Sequence, residues 1–498
     1  MDFIGTVFTR LSVLAGAATH TSIQIITKTG RVVTGTDHIG SARNPTELEF
    51  LLALAKKRMN PGQLELELFE DHSSDIFLEQ AYSELLYDVL ADLYHRLGLG
   101  ILADETFMQL VLARIIEPTS KLDTIRVLEE LGLDAPSNST IHRCLRRIIE
   151  KDYREQVSQC LLDTASAHSL TLLLYDVTTL YFEIQKEDEY RRPGLSKERR
   201  LEPQITVGLL CGRDGFPLEV QSFEGNRAEV KTIVEVLNSF RVRYGPGKIT
   251  VTADAAMLSS ENINVLEAMG YHYIIGSRLS KTPHEVEEYR ADKDQELTDG
   301  QIFESSMMIN TGQGRRAKRR VIYQYRSKRA VLDLSNIEKT LAKAKNMVNG
   351  DAPYKRNRFV KISGAVRQIN YDLLEDAKRR AGIKGYVTDL NIPAQEVIDA
   401  YHQLFEVERS FRMSKSDLRA RPIFHHTRDS IEAHLTIVLT ALALARRVQK
   451  ASSLSIKKFV QKLSVVRTGV ISVNGSRHVL QPRVPVEVAE ILDKLGSR

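Results

Sequence analysis

The chain has 498 residues, of which 42% are hydrophobic and 27% charged, with a net charge of +5. That length asks for roughly 2–4 folding units, and the composition is globular, which excludes a disordered or fibrous chain. Three scattered cysteines (Cys144, Cys160 and Cys211) with no CxxC spacing argue against a disulfide framework or a zinc ribbon.

Residues 1–45 alternate in polarity and predict a β-rich segment, with a hairpin from the runs at 22–27 and 30–34. Residues 46–165 carry helical spacing, clearest at 78–97 and 107–116. Within them, 121–152 predicts two helices joined by a loop beginning at Gly132. The second displays Thr140, His142, Arg143, Arg146 and Arg147, and reads either as a recognition helix for DNA ends or as one half of a structural pair.

From about 166 the pattern changes. An apolar run at 171–175 ends in Asp176, and two strand-like runs follow at 204–211 and 216–223. A helix is expected next, with Asn226 as N-cap and Glu229 three residues on, ending near Gly245-Pro-Gly247. A strand at 248–253 ends at Asp254, a helix covers 260–269, and a further strand covers 271–276. Three strands, a helix, a strand, a helix and a strand describe an α/β, RNase H-like core, with an antiparallel meander followed by parallel additions.

Residues 281–384 interrupt this core. From 311 to 361 there are 15 Lys/Arg against three Asp/Glu, a local +12 that leaves the rest of the chain near −7. A concentrated basic block on an otherwise acidic chain implies a polyanionic partner, and Arg315, Arg316, Lys318, Arg319 and Arg320 are its densest part. Strand-like pieces such as 320–325 and one basic helix near 335–347 make this a largely β insertion. The core resumes over 385–450, with one long helix at 394–413 and another at 430–448, and 451–498 is a C-terminal segment available for dimerisation. No run is long enough to span a membrane: the longest, 435–445, is about half of the ~20 residues required. Asp2, with no basic stretch beside it, argues against a secretory leader.

Acids are costly inside apolar strands, and Asp176 and Asp254 both fall at the carboxyl ends of such strands, where an open α/β sheet has its crevice. Glu408 lies on a helix that would pack beside the first strand. Three convergent carboxylates call for a hard cation, Mg²⁺ or Mn²⁺, and two such ions serve in-line phosphoryl displacement. Tyr401, Glu408 and Lys415 recur every seven residues and so share a helix face, with Arg412 one turn beyond Glu408. His425, His426 and His434 have no Cys or carboxylate at ligand spacing, so no zinc site is expected. Lys197, Arg199 and Arg200 are equally readable as DNA contacts or as solvated charge.

The run from Tyr401 to Lys415 resembles the Tyr-Arg-Glu-Lys signature of DDE-type insertion-sequence transposases, which is Tyr, two residues, Arg, three residues, Glu, six residues, Lys. Tyr401, Glu408 and Lys415 match, and Leu404 stands where the signature has Arg. Tyr175-Asp-Val-Thr-Thr-Leu-Tyr-Phe-Glu183, Gly225-Asn-Arg-Ala-Glu229, Ala253-Asp-Ala-Ala-Met-Leu258, Arg421-Pro-Ile-Phe-His-His426 and Ile431-Glu-Ala-His434 are similar to the same family, over about residues 80–490. The resemblance implies an RNase H-like catalytic core interrupted by a largely β insertion, with a helical DNA-binding region before it. It also implies Mg²⁺-dependent cleavage at terminal inverted repeats and strand transfer, on double-stranded DNA as both element end and target. A homodimer on DNA and a cytoplasmic, nucleoid-associated place in a prokaryote go with it. Another RNase H-like nuclease, such as a resolvase, and a catalytically dead DNA-binding derivative are the competing readings.

Overall fold

The computed structural model describes residues 5–14, 18–29, 32–42, 44–59, 76–166, 171–183, 187–194, 202–244, 249–257, 259–293, 296–312, 315–353, 355–363, 366–473 and 476–496. Lys197, Arg199, Arg200, Gly245 and Gly247 lie outside them, as does the side chain of Arg315. The chain divides into two compact units, 1–76 and 77–498. In the first, β1 (Gly5–Leu14), β2 (Ala18–Thr29) and β3 (Val32–Ala42) form an antiparallel meander, followed by α1 (Pro45–Met59). Ile23, Ala42 and Ala55 are its buried centre.

The second unit begins with β4 (Ile76–Tyr82) and a helical layer: α2 (Glu84–Arg96), α3 (Glu105–Ile116), α4 (Thr124–Glu130), α5 (Asn138–Glu150) and α6 (Tyr153–Ser166). Two starts are capped in the ordinary way. Asp104 accepts from the Phe107 amide at 3.1 Å, and Ser137 from the Thr140 amide at 3.2 Å.

The centre is an eight-stranded sheet. Its strands are β5 (Leu172–Tyr181), β6 (Gln204–Gly212), β7 (Pro217–Glu224), β8 (Thr250–Ala253), β9 (His272–Ser277), β10 (Ile302–Gly312), β11 (Arg315–Tyr325) and, after the short hairpin of β12 (Val360–Ser363) and β13 (Val366–Ile369), β14 (Ile383–Thr388). The order is β10-β11-β14-β9-β8-β5-β6-β7. β5, β6 and β7 are an antiparallel meander, and β8 and β9 add in parallel beside β5. These five strands have the arrangement expected of an RNase H-like core. On one face lie α7 (Thr232–Tyr244) and α8 (Ser260–Ala268), and the Tyr175 hydroxyl reaches that face to Thr232 at 2.7 Å. On the other lie α12 (Ala394–His402) and α13 (Leu404–Ser416).

The insertion departs from expectation. Its long strands β10 and β11 extend the central sheet through β14 and do not form a separate β body. Helices α9 (His284–Lys293), α10 (Ser327–Asn349) and α11 (Tyr371–Arg379) make it mixed α/β, with its own small core of Ile337, Ala344, Phe359, Leu374 and Ala377. The local signal was misleading because exposed basic helices and exposed basic strands look alike in composition.

The apolar run at 435–445 lies within α14 (Arg428–Ser452), which is buried on nearly every side. Among the described residues no helix is long and apolar enough to cross a membrane. The chain closes with α15 (Ile456–Leu463), β15 (Thr468–Val473), β16 (Ser476–Leu480) and α16 (Val486–Leu495), which return to the first helices of the unit. Ser83 donates to the Ser464 carbonyl at 2.8 Å, and Arg96 to that of Leu495 at 2.6 Å.

Candidate active site

The site starts from strand register. Tyr175 on β5 pairs with Ala253 on β8, and Ala253 with Ile275 on β9. The next position along this row carries Asp176, Asp254 and Gly276. Neighbouring strands lie ~4.8 Å apart and side chains alternate faces, so the two aspartates are neighbours on one face, opposite to buried Tyr175. Asp176 is half-buried and Asp254 exposed. After Asp254 the backbone turns at once, with the Met257 amide donating to the Asp254 carbonyl at 2.9 Å. Buried Asn262 holds this turn by donating to the Val230 and Met257 carbonyls at 2.8 and 2.9 Å.

The same face receives α12 and α13. The expected single helix over 394–413 is two helices, broken at Gln403. Tyr401 lies in the last turn of the first, 3% exposed, and its hydroxyl donates to Asp254 Oδ1 at 3.2 Å. It fits there because residue 276 is glycine: a Cβ at that position would stand 2.7 Å from the Tyr401 hydroxyl. The Tyr386 ring packs edge-on at 4.8 Å. Burial, Asp254 and, more weakly, Glu408 push the Tyr401 phenol well above its ordinary value, so it remains a donor.

Glu408 is exposed on α13. Lys415, two turns on, donates to Thr178, which lies two residues past Asp176 on the same face of β5. Leu404, standing where the signature has Arg, is buried at the start of α13. The helix is fixed from behind: Ser410 donates to the Gly215 carbonyl at 2.7 Å, and Glu406 pairs with buried Arg446 of α14 at 2.6 Å.

Sequence reasoning missed Lys384. It stands past the end of β9, on β14, with its ammonium 4.2 Å from the centre of the Tyr401 ring. Burial and Arg329 hold it below its ordinary value, while Asp254 and Glu408 pull the other way. Lys384 also lines a cavity of about 510 Å³ that opens beside Ala255 and Gly276, together with Arg278, Arg329, Arg358 and Arg380. No local pattern marks these five residues, since they come from separate segments of the chain.

The basic block divides. Arg316 and Lys318 are exposed on β11. Arg319 turns inward onto Glu267 of α8, at 2.7 and 2.6 Å. Arg320 pairs with Glu304 at 2.9 Å and donates to the Leu390 and Ile392 carbonyls at 3.0 and 2.7 Å. These two are therefore structural ties, at odds with the expectation that the whole block faces DNA. On α5, Arg143 and Arg146 are exposed, whereas Arg147 pairs with the buried carboxylate of Asp104 at 2.8 Å. Arg412 is exposed on α13.

The oxygen donors suit a hard divalent cation. Among the described residues, however, no three His, Cys, Asp or Glu side chains lie close enough to hold one ion as they stand. Gripping an ion requires the exposed Asp254 and Glu408 side chains to turn toward Asp176.

Comparison with known proteins places this architecture. The profile of a family described as Transposase DDE domain matches residues 168–444, a span that contains both aspartates, Glu408 and the insertion. No curated protein matches the chain. Among solved structures it is similar to the piggyBac transposase in its synaptic complex with hairpin DNA, at 10% identity and a TM-score of 0.38, over 77% of this chain and 70% of that one. A likeness of that degree carries no argument.

Proposed function

The chain belongs to the Transposase DDE domain family, whose profile covers more than half of it, and from that premise we propose that it acts on the terminal inverted repeats of its own insertion sequence. It binds them as double-stranded DNA, cuts a strand there and joins the cut end to target DNA. The Tyr-Arg-Glu-Lys branch of the family is the one we assign it to, with Leu404 replacing the Arg. Asp176, Asp254 and Glu408 are the proposed catalytic carboxylates. The observation that carries this is the row in which Asp176 and Asp254 stand side by side on parallel strands, with the Glu408 helix on the same face.

Two ions of the Mg²⁺ or Mn²⁺ kind would be held by these three carboxylates, and when bound they supply an activated water or 3′-hydroxyl and a stabilised leaving oxygen. The chain's own residues do the rest. Tyr401 orients Asp254 through its hydroxyl. Lys415 and Arg412 grip phosphates beside the scissile bond, and Lys384 with the arginines of the adjoining cavity guides the strand toward it. Arg316, Lys318, Arg143 and Arg146 are proposed as outer contacts to the backbone. Two copies act together on DNA, and exposed Phe77, Leu78, Val479 and Leu480 near the C-terminal segment are available for that pairing.

The test is cleavage and gel-shift on purified Asp176→Ala, Asp254→Ala and Glu408→Ala with duplexes carrying the element ends. Each variant is expected to bind and not to cut. Mn²⁺ should replace Mg²⁺, and Ca²⁺ should support binding alone. Full cleavage by any one variant removes that residue from the site.

A further inference from the structure

A second group of basic side chains converges where the end of α3, the loop after it and the connection from α13 to α14 meet. Lys121 Nζ stands 2.7 Å from His425 Nε2 and 3.5 Å from His434 Nδ1, and the two imidazoles are 5.5 Å apart. His434 is buried, and its Nε2 donates to the Ala420 carbonyl at 3.2 Å, which leaves Nδ1 as an acceptor facing Lys121. Arg114 on α3, only 9% exposed, lies near enough to lower Lys121 and both histidines by repulsion. Among the described residues Arg114 has no side-chain hydrogen bond or ion pair.

Among the described residues no carboxylate pairs with this cluster. The two acids of the loop, Glu117 and Asp123, are both taken by Arg126, at 2.5 and 3.0 Å. The other titratable groups that face the cluster are His142 and Cys144 on α5 and Arg419 and His426 on the connection. None is an acid. A buried guanidinium without a counter-charge is costly, and an anion beside it would relieve that cost.

We propose that Arg114, Lys121, His425 and His434 form a binding site for one phosphate of the DNA backbone, separate from the carboxylate site. Its place agrees with that role. The connection is tied to β5 by the Ile423 amide, which donates to the Tyr181 carbonyl at 3.2 Å, and by Arg421 over the Tyr181 ring at 5.4 Å. Tyr181 lies five residues beyond Asp176 on the same strand, or ~16 Å. Burial and mutual repulsion hold the cluster short of protons: His425 is pushed down to about 3, His434 and Lys121 fall well below their ordinary values, and Arg114 drops to about 10. Arrival of a phosphate reverses this, so binding takes up protons and tightens as pH falls.

This inference rests on the reading that the chain handles DNA, and the experiment separates the two. The full-length protein and its Lys121→Met and His425→Gln variants are titrated with random-sequence duplex across a salt series, and with inorganic phosphate by calorimetry in two buffers of different ionisation enthalpy. Lys121→Met removes the charge and keeps the length of the side chain, and His425→Gln alters the site without touching that lysine. The expected result is proton uptake with the wild type, about tenfold weaker duplex binding by each variant, and a log–log salt slope reduced by ~0.9. Phosphate binding that both variants abolish, with an unchanged duplex slope, overturns the DNA assignment in favour of free phosphate. Unchanged binding of both probes by both variants overturns the site altogether. A wild type that binds phosphate with proton uptake but no duplex leaves the pocket standing and sinks the proposed function instead.

Discussion

The hydroxyl of Tyr401 donates to Asp254 Oδ1 at 3.2 Å, joining a helix end to a strand end 147 residues earlier in the chain. Removing that donor while keeping the ring isolates its contribution. Tyr401→Phe should slow cleavage about tenfold, the worth of one hydrogen bond to a charged group, with DNA binding and thermal stability little changed. Wild-type cleavage by this variant would show that Asp254 is oriented without Tyr401.

Gly276 supplies the space that Tyr401 occupies. A methyl at 276 meets both the Tyr401 hydroxyl at 2.7 Å and the Ala255 backbone nitrogen at 3.0 Å. Gly276→Ala should therefore cost about 1–3 kcal/mol by overpacking and reduce cleavage more than Tyr401→Phe does. Denaturant titration beside a cleavage assay reads both quantities, and an unperturbed Gly276→Ala would mean that the sheet end relaxes freely.

Behind α13, Glu406 neutralises an Arg446 that is only 7% exposed. Glu406→Ala leaves that guanidinium with backbone and amide partners alone, so a loss of about 1–3 kcal/mol is expected. Because the same pair fixes the Glu408 helix, cleavage should fall as well. Loss of stability with full activity in the folded fraction would separate the helix anchor from the site.

Glu432 on α14 accepts from Arg154 at 2.5 Å, Tyr190 at 2.7 Å and Ser222 at 2.6 Å. Burial raises its carboxyl, but Arg154 and the hydroxyl donors outweigh that and hold it below the ordinary 4.5. A depressed folded value means stability that is present above 4.5 and is lost as pH falls through the lower folded value. The gap in melting temperature between wild type and Glu432→Gln should therefore narrow as pH drops below 4.5. A gap that is constant with pH would assign the effect of the substitution to packing.

The two halves of the basic block should behave differently. Replacing exposed Arg316 and Lys318 by Gln should flatten the salt dependence of duplex binding, by ~0.9 in the log–log slope for each phosphate no longer neutralised. Arg319→Gln should leave the slope alone and lower the melting temperature, because its partner is Glu267. A slope that responds to Arg319 and ignores the exposed pair would reverse this assignment.

Much of the core could be read from local pattern. The apolar run closing on Asp254 describes a strand that ends at a crevice, because alternation and capping are properties of neighbouring residues, whereas β5 continues past Asp176 to Tyr181, against the expectation that Asp176 closes its strand. The seven-residue recurrence of Tyr401, Glu408 and Lys415 predicts one face of one helix, but Tyr401 stands on α12 and the other two on α13. Other features depend on which distant segments meet. At the break at Gln403, Tyr401 sits over Gly276 on one side and Leu404 is buried on the other. Arg319 and Arg320 became structural because β11 joined the central sheet and brought Glu267 and the carbonyls after β14 within reach. Lys384 beside Asp254, and Lys121 between two histidines more than 300 residues away, have no local signature at all. A charge pattern records how many cations a segment carries, but whether each faces an acid, a carbonyl or an anion is settled only when the sheet closes and the helices pack against it.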